Sequence, residues 1–401
     1  MINRILYLLF FFLCSLQASS YFTLNSLGDP SNHSGVYGMG AGNTGLSLIS
    51  PHNQHPFNQS LTGMTDRTLI YVAVTGDYLT LKNNQGSGLH INYYLPSFRF
   101  VVSLKKYLKL GLEYQNLYQN YFSIRITDQI ITNDTIAFNS ELTKKGGLQS
   151  GNIFLAFRIK QRYLLATSLV WYFGASELYK RFDFNDTFFS DGYANYVSRF
   201  SGQNLMLSFT VPVDSSIWLG GYYSPAKEIT VSRSNDIPLE SDIEVGDNKI
   251  DLGQRFGVGI TWKVTPKWQL TMDGQYEGAT KGLVFESNIQ NRASDFWQIG
   301  LGIERSRNYD FLATYKQRIS WRGGIYWQAI GIESSAGDPL REIGLTLGAT
   351  LPMKSDFHAV NFAVQFGRRG NIDTFGVQET VWRFLISFSG LETWGTRRGF
   401  Y

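Results

Sequence analysis

Eight charged residues stand out because the alternation of apolar and polar positions would direct them into one shared interior. They are Glu113, Arg158, Lys160, Asp273, Glu277, Glu304, Glu342 and Arg383. Carboxylates and guanidinium groups kept from bulk water either pair with one another or bind a charged ligand. Two interpretations therefore stay open. Either the charges pair with one another or hold a plug inside the protein, or they form a polar pathway in which Arg158 or Arg383 binds a carboxylate.

The residues needed for catalysis are sparse in this sequence. The five histidines are His33, His52, His55, His90 and His358. His52 and His55 are close enough to share a metal ion, but they lack an acidic neighbour, and a packed or solvated pair is the simpler interpretation. The chain has neither a Gly-x-Ser-x-Gly elbow nor a Walker-type phosphate loop. We therefore expect no enzyme, no metal and no cofactor, and an outer-membrane enzyme ranks last among the functions considered.

The elements that would position the charged residues are β-strands, because apolar residues recur at every second position. One stripe contains Phe256, Val258, Ile260, Trp262 and Val264, and another contains Ile343, Leu345, Leu347, Ala349 and Leu351. The intervening residues are Gly, Thr, Gln, Glu and Lys. Such a strand has one apolar and one polar face, as a wall between lipid and a polar lumen requires. The pattern predicts a transmembrane β-barrel.

The stripes repeat from Thr68 to the C-terminal region and predict an antiparallel, all-β barrel of about 14 strands. Tight turns are predicted at Tyr107, Gln161–Arg162, Pro212–Asp214, Thr265–Pro266 and Pro352–Ser355. Long polar connections are predicted at 128–146, 176–194, 232–248 and 280–293. In bacterial barrels the short turns face the periplasm and the long loops face outward. The predicted barrel domain is 67–401, with a short C-terminal tail.

Residues 1–20 have the features of a secretory signal peptide. Arg4 precedes an apolar run from Ile5 to Leu16, and small residues suitable for cleavage follow. The single cysteine, Cys14, lies in this stretch, so the mature chain would have no disulfide. We expect export to the outer membrane of a Gram-negative-type cell.

Composition separates this chain from other membrane and nucleic-acid-binding classes. Charged residues make up 17%, and mean hydropathy is −0.15, without a long apolar run after the signal, so no helical span is expected. An aromatic content of 15% suits girdles at two membrane interfaces. The net charge of +4 is too small and dispersed to indicate a nucleic-acid partner.

Residues 21–66 lack sustained alternation and are rich in glycine and polar residues. Gly38, Gly40, Gly42 and Gly45 lie close together, and glycine tolerates close approach of another backbone. We therefore expect a plug or hatch segment packed inside the barrel. The alternative is a loose periplasmic arm.

Several stretches resemble the FadL-like family of long-chain fatty-acid transporters, of the OMPP1/TodX type, in the divergent form found in Bacteroidetes-like bacteria. They are Tyr37–Gly42, Phe57–Asn58, Arg322–Gly324, Glu342–Gly348, Leu351–Pro352 and Phe366–Gly370, with Trp394, Arg397 and Arg398 near the end. The resemblance implies a hatch inside a fourteen-stranded barrel, with Asn58 in the hatch. The usual Asn-Pro-Ala of the family stands here as Asn58-Gln59-Ser60.

The resemblance implies uptake of small hydrophobic compounds through a plugged barrel. The alternative is a structural or docking barrel that serves a secretion or surface-attachment machine without transport. The alternation itself predicts that Arg158, Glu304 and Arg383 face the lumen. The expected partners are outer-membrane lipids, a hydrophobic small molecule and a cell-envelope protein, but no nucleic acid.

Overall fold

The structure is a computed structural model that describes residues 20–31, 34–84, 86–130, 137–160, 162–184, 190–236, 243–282, 292–307, 313–334, 336–353 and 357–393. The predicted signal peptide, apart from Ser20, lies outside the described residues. The C-terminal tail with Trp394, Arg397 and Arg398 also lies outside them.

The described residues form mostly β-strands. After β1 (Asp29–Pro30) these are β2 (Thr68–Lys82), β3 (Ser87–Tyr94), β4 (Ser97–Lys105), β5 (Leu108–Ile130), β6 (Ala137–Ile159), β7 (Tyr163–Phe184), β8 (Gly192–Pro212), β9 (Ile217–Ser224), β10 (Lys227–Asp236), β11 (Ile243–Leu252), β12 (Arg255–Lys263), β13 (Trp268–Glu277), β14 (Arg292–Arg305), β15 (Ser320–Glu333), β16 (Pro339–Pro352), β17 (His358–Asn371) and β18 (Val377–Glu392). Short helices are the 3₁₀ helices Tyr21–Asn25 and Gln59–Met64, and α1 (Gly35–Met39), α2 (Tyr315–Arg318) and α3 (Ile372–Phe375). Within the described part of the chain, no helix is long and apolar enough to cross a membrane.

The sheet closes on itself through antiparallel pairs. The last strand, β18, pairs with β2 from Glu392 opposite Thr68 to Gln378 opposite Lys82. Three wall strands are interrupted: β3 and β4 are separated at Leu95-Pro96, β9 and β10 at Pro225-Ala226, and β11 and β12 at Gly253-Gln254. When the two halves of each interrupted strand are counted as one strand, the described wall is a closed antiparallel barrel of 14 strands. This confirms the predicted fold class and strand number.

The outer face of the wall is apolar and the inner face is polar. In β16, Ile343, Leu345 and Leu347 are 64%, 60% and 70% exposed, whereas Glu342 and Thr346 between them are buried. Successive side chains on a strand point to opposite faces, so sequence parity decides which residues meet lipid. The outer belt matches the apolar band that hydrocarbon requires.

The two ends of the barrel differ in how the strands are joined. Short turns join β4 to β5, β6 to β7, β8 to β9 and β12 to β13, and we call this the turn end. At the opposite hairpin end, the strands continue into three of the four stretches predicted as long loops. Paired residues extend to Ile130 opposite Ala137, Phe182 opposite Gly192, and Asn235 opposite Ile243.

Three predicted long loops were therefore wrong, because most of their residues form paired β-strands. They are 128–146, 176–194 and 232–248. The reason is that both faces of these hairpins lack the lipid contact that imposes apolar alternation. The backbone ladder persists there without the period-two signal by which strands are recognised.

Leu347→Arg should lower the free energy of unfolding by about 2–4 kcal/mol, the cost of arginine on the lipid face near the bilayer midplane. Urea unfolding of the protein refolded into phosphatidylcholine vesicles measures this change. Ser123→Arg, at an exposed position of β5 toward the hairpin end, is the control. Its free energy of unfolding should stay within about 0.5 kcal/mol of that of the parent. Equal effects of the two substitutions would contradict the assignment of Leu347 to the lipid face.

Candidate functional site

The N-terminal segment, residues 21–66, runs through the interior of the barrel from the hairpin end to the turn end. At its start the Tyr21 backbone N–H donates to Glu379 Oε1 at 2.9 Å. At its end Asp66 pairs with Arg158 and lies 3.6 Å from Lys109 Nζ. Every residue from 34 to 48 is buried, although this stretch is rich in glycine and polar residues. The segment is therefore held by close packing and polar contacts together with apolar clusters, in one of which Leu46 and Phe57 pack with Tyr222 of the wall.

Backbone-to-backbone packing on glycine holds the middle of the segment. Gly42 has a φ of 73°, and a Cβ there would lie 2.2 Å from the Leu301 carbonyl oxygen. On the wall, a Cβ on Gly324 would lie 2.5 Å from the Gly42 nitrogen, and one on Gly300 would lie 2.1 Å from the Gly42 oxygen. A Cβ on Gly40 would lie 2.8 Å from the Gly348 Cα. We call these residues the glycine contact.

Gly38 and Gly45 shape the segment itself. A Cβ on Gly38 would lie 1.7 Å from the Thr44 carbonyl oxygen. Gly45 has a φ of 133°, in the region that favours glycine, and its carbonyl accepts a 2.8 Å bond from Asn53 Nδ2. The turn that they form directs the Leu46 N–H to Asp273 Oδ2 on β13, at 2.8 Å.

Asn58 connects two parts of the segment to the wall. Its Nδ2 donates to the Leu46 carbonyl at 2.6 Å and to Thr210 Oγ1 at 2.9 Å. Its Oδ1 accepts from the Ser60 N–H at 3.2 Å and so caps the helix Gln59–Met64. The amide thereby fixes the end of the segment before the chain enters β2.

Beside the start of the segment lies a buried ionic cluster, which we call the β16–β18 cluster. Arg369 Nε lies 2.9 Å from Glu342 Oε2 and 3.6 Å from Glu379 Oε2, and Arg369 Nη1 lies 3.1 Å from Asp29 Oδ2. Arg383 Nη1 donates to Glu342 Oε1 at 2.8 Å. Through Arg369, the cluster ties Asp29 of the segment to three wall strands.

A second buried ion pair holds the later part of the segment. Arg99 Nη2 lies 2.6 Å from Glu113 Oε1, and both side chains are 1% exposed. The same guanidinium donates to Gln54 Oε1 at 3.0 Å and to the His55 carbonyl at 2.8 Å. Gln59 Nε2 donates to the other Glu113 oxygen at 3.1 Å. Both charges are therefore used to bind the segment.

Glu304 accepts a hydrogen bond from the Tyr37 hydroxyl at 2.7 Å. The guanidinium of Arg322 lies 3.6 Å from the centre of the Tyr37 ring, a cation–π geometry. Tyr37 is thus held by one anion and one cation of the wall.

The structure places the three residues predicted to face the lumen differently. Glu304 and Arg383 lie on the inner face, and both take part in contacts that hold the segment. Arg158 lies at the turn end, where it donates to Asp66 and to the Lys106 carbonyl. Lys160, also expected inside, is exposed in the turn after β6.

The interior charges predicted from the sequence left out Arg99, Arg322 and Arg369, although two of these arginines lie in stretches that resemble the FadL-like family. A usable sequence signal existed for Arg369, since it has the same parity as the polar residues Asn361 and Gln365 of its strand.

The wall itself is incomplete beside β1. Among the described residues β3 pairs with β2 but not with β5. Pro96 interrupts the strand because proline lacks the N–H that a ladder needs. Instead β1 pairs with β5, placing Asp29 opposite Gln119 and Pro30 opposite Tyr118. We call this break the wall gap.

Side chains and the segment close the wall gap. Gln119 Nε2 donates to Asn92 Oδ1 at 3.4 Å, and the Tyr94 hydroxyl donates to the Ser31 carbonyl at 3.1 Å. A nearby interior cavity, lined in part by Gly28, Tyr118 and Glu277, measures about 30 Å³, which is room for about one water molecule.

A family model described as BamG matches residues 57–401. The chain belongs to the BamG family. The match covers the whole barrel and the last part of the N-terminal segment. No curated protein matches the sequence.

Solved structures similar to this BamG-family barrel include hydrocarbon channels. A FadL homologue from Pseudomonas aeruginosa has a TM-score of 0.58 at 10% identity, over 90% of this chain and 98% of that one. The toluene transporter TbuX from Ralstonia pickettii has a TM-score of 0.54 at 13% identity, over 92% and 100%. The toluene transporter TodX from P. putida has a TM-score of 0.54 at 12% identity, over 92% and 99%. At these identities the likeness establishes the fold, and it agrees with the predicted resemblance to a divergent FadL-like family.

Gly324→Ala should displace the N-terminal segment, because its Cβ would overlap the backbone of Gly42. We expect a loss of about 1–3 kcal/mol in unfolding free energy from overpacking, with faster amide hydrogen exchange in residues 38–46. Gly323→Ala is the matched control, since its Cβ would meet its nearest atom, Leu347 Cδ2, at 3.5 Å. Unchanged exchange in the Gly324 variant would show that the glycine contact does not hold the segment.

Proposed function

We propose that this protein is a structural and docking component of an outer-membrane assembly machine, in which the lumen stays closed. The observation that carries the proposal is the attachment of the N-terminal segment on several sides of the barrel. Residues 21–66 would then be a permanent plug, and 67–401 would be the barrel that presents surfaces to a partner. We infer no catalytic role.

The energetics support a fixed segment. Removing one partner from a buried ion pair typically costs about 3–5 kcal/mol. Displacing the segment would separate Asp29 from Arg369, and Gln54, His55 and Gln59 from the Arg99–Glu113 pair. It would also break the Tyr37 and Leu46 bonds to Glu304 and Asp273. The population of an open lumen would be very small without an external source of energy.

The family match supports a role in outer-membrane protein assembly. The name BamG suggests a role related to the barrel-assembly (BAM) machinery, and such a role implies a protein partner in the cell envelope. The apolar belt and the outer-membrane barrels with the same fold support the outer membrane as its location.

The hairpin end offers a surface for a partner. The extended β7–β8 hairpin bears the stacked rings of Tyr179 and Tyr193, 6.1 Å apart, with Tyr193 39% exposed. Arg181 pairs with Asp191 at 3.2 Å on the same hairpin. Aromatic and arginine side chains are the residues that commonly dominate protein interfaces.

We expect a tagged protein, purified from its native membrane in mild detergent, to bring BAM subunits with it in stoichiometric amounts. Tyr179→Ala combined with Tyr193→Ala should reduce their recovery at least about fivefold if the two rings act as a hot spot. Tyr107→Ala, a 53% exposed tyrosine at the turn end, should leave recovery unchanged. Quantitative mass spectrometry of the eluates measures this. A barrel that purifies without BAM subunits, wild-type or variant, contradicts the docking proposal.

Passage of small hydrophobic compounds is the second candidate, and the wall gap favours it. Two solved structures of the same fold are toluene transporters. If this barrel conducts such compounds, the break between β3 and β5 is the place where a molecule could leave sideways into the membrane. The segment would then have to withdraw β1 from β5.

The docking proposal predicts no uptake of labelled toluene into liposomes above the rate of protein-free liposomes. Asn92→Cys with Gln119→Cys places a thiol on each side of the wall gap, where the native side chains meet, and a bifunctional thiol reagent can then cross-link the two strands. Uptake by the untreated double variant that stops on cross-linking would establish transport and overturn the closed-lumen proposal. Asn92→Cys alone controls for the reagent itself.

A further inference from the structure

A groove lies on the outside of the wall at the turn end, under the connection between β14 and β15. Tyr315 and Arg318 of α2 form one side, and Leu351, Val360 and Phe362 form the floor. These floor residues have the outward parity of β16 and β17, and Phe362 is 38% exposed. Helix α2 therefore lies over the lipid-facing surface. The groove is open to its surroundings, and its volume is about 530 Å³.

The groove is apolar inside and basic at its mouth. Its floor is aliphatic and aromatic, and Pro352 and Met353 complete the lining. Arg318 lies at the opening, where its Nη2 donates to the Met353 carbonyl at 3.4 Å. Lys316 of the same short helix is exposed. A ligand that matches both parts must combine an anionic group with a hydrocarbon chain.

The position of the groove relates it to the membrane interface. Phe362 lies opposite Ile386 in the β17–β18 register, and Ile386 is 49% exposed in the apolar belt. Trp321 and Phe357 are exposed at the same end of the wall, as in the aromatic girdle of a barrel. The apolar floor thus lies in hydrocarbon, and Arg318 lies at the level of head groups.

We infer that this groove binds one glycerophospholipid of the periplasmic leaflet. An acyl chain would lie against Leu351, Val360 and Phe362, and the phosphate would lie against Arg318. The volume is within the roughly 300–1,000 Å³ range of small-ligand pockets. A stable protein interface would instead bury about 800 Å² on each partner, more than a groove of this size provides. Arginine suits a phosphate because its planar fork can donate two parallel bonds.

Native mass spectrometry of the purified full-length protein tests this site with added phosphatidylglycerol as the probe. We expect one lipid to be retained per barrel at collision energies that strip detergent. Arg318→Glu should reduce retention at least about fivefold, the effect of one basic residue near an anionic lipid. Val360→Trp should abolish retention by filling the groove. Arg318→Lys should restore part of it.

Lys263→Glu is the matched control, because Lys263 is exposed at the same end but outside the groove. It should retain lipid as the parent does. Heat-modifiability on gels checks that each barrel is folded. If Val360→Trp does not fold, the charge reversals at the half-buried Arg318 and the exposed Lys263 still decide the question.

Three outcomes would overturn the inference. Equal lipid retention by all variants would mean unspecific annular lipid. Equal competition by glycerol phosphate would mean a site for soluble anions. Protection of Arg318 from chemical labelling by a co-purifying protein, with no lipid retained, would mean that the groove is a protein interface.

Discussion

A backbone in hydrocarbon must satisfy all its hydrogen bonds within the protein, and the remaining features of this molecule follow from that constraint. A sheet meets it only when it has no open edge, so β18 returns to pair with β2. Closure fixes one face of every strand toward lipid and the other toward an enclosed lumen. Many side chains in that lumen are polar or charged, and they need partners because an unpaired buried charge is costly.

The N-terminal segment supplies many of those partners. Asp29 faces Arg369, Tyr37 faces Glu304, and Gln54 faces Arg99. Close approach is possible because both surfaces omit side chains where they meet, at Gly42 and Gly324. The segment and the wall therefore stabilise each other. The wall gap shows the same mutual stabilisation. The strand is interrupted at Pro96, so β3 does not pair with β5, and β1 of the segment pairs with β5 in its place.

The distinction between a channel and a docking barrel rests on this mutual stabilisation. The fold is shared with hydrocarbon transporters, but a fold does not specify a function. A hatch that opens should be held by contacts that are few or easily exchanged. The segment here is held by buried ion pairs, by backbone packing and by the Asn58 amide, which bonds both the segment and the wall. Such contacts favour a segment that stays in the lumen.

By itself, the sequence determined the strand identity, the lipid-facing side and the approximate strand number, because period-two alternation is a local property that lipid imposes on every spanning strand. Glycine spacing at 38–45 also indicated close packing. Tertiary structure decided the partners of the buried charges. Glu304, for example, accepts a hydrogen bond from Tyr37, 267 positions away in the sequence, and no local pattern encodes such a contact. It also decided that the hairpins at 128–146 and 176–194 continue as ladder, where the absence of lipid removes the alternation. The location of Arg158 at the rim and the existence of the wall gap depend on register, which only the closed barrel sets.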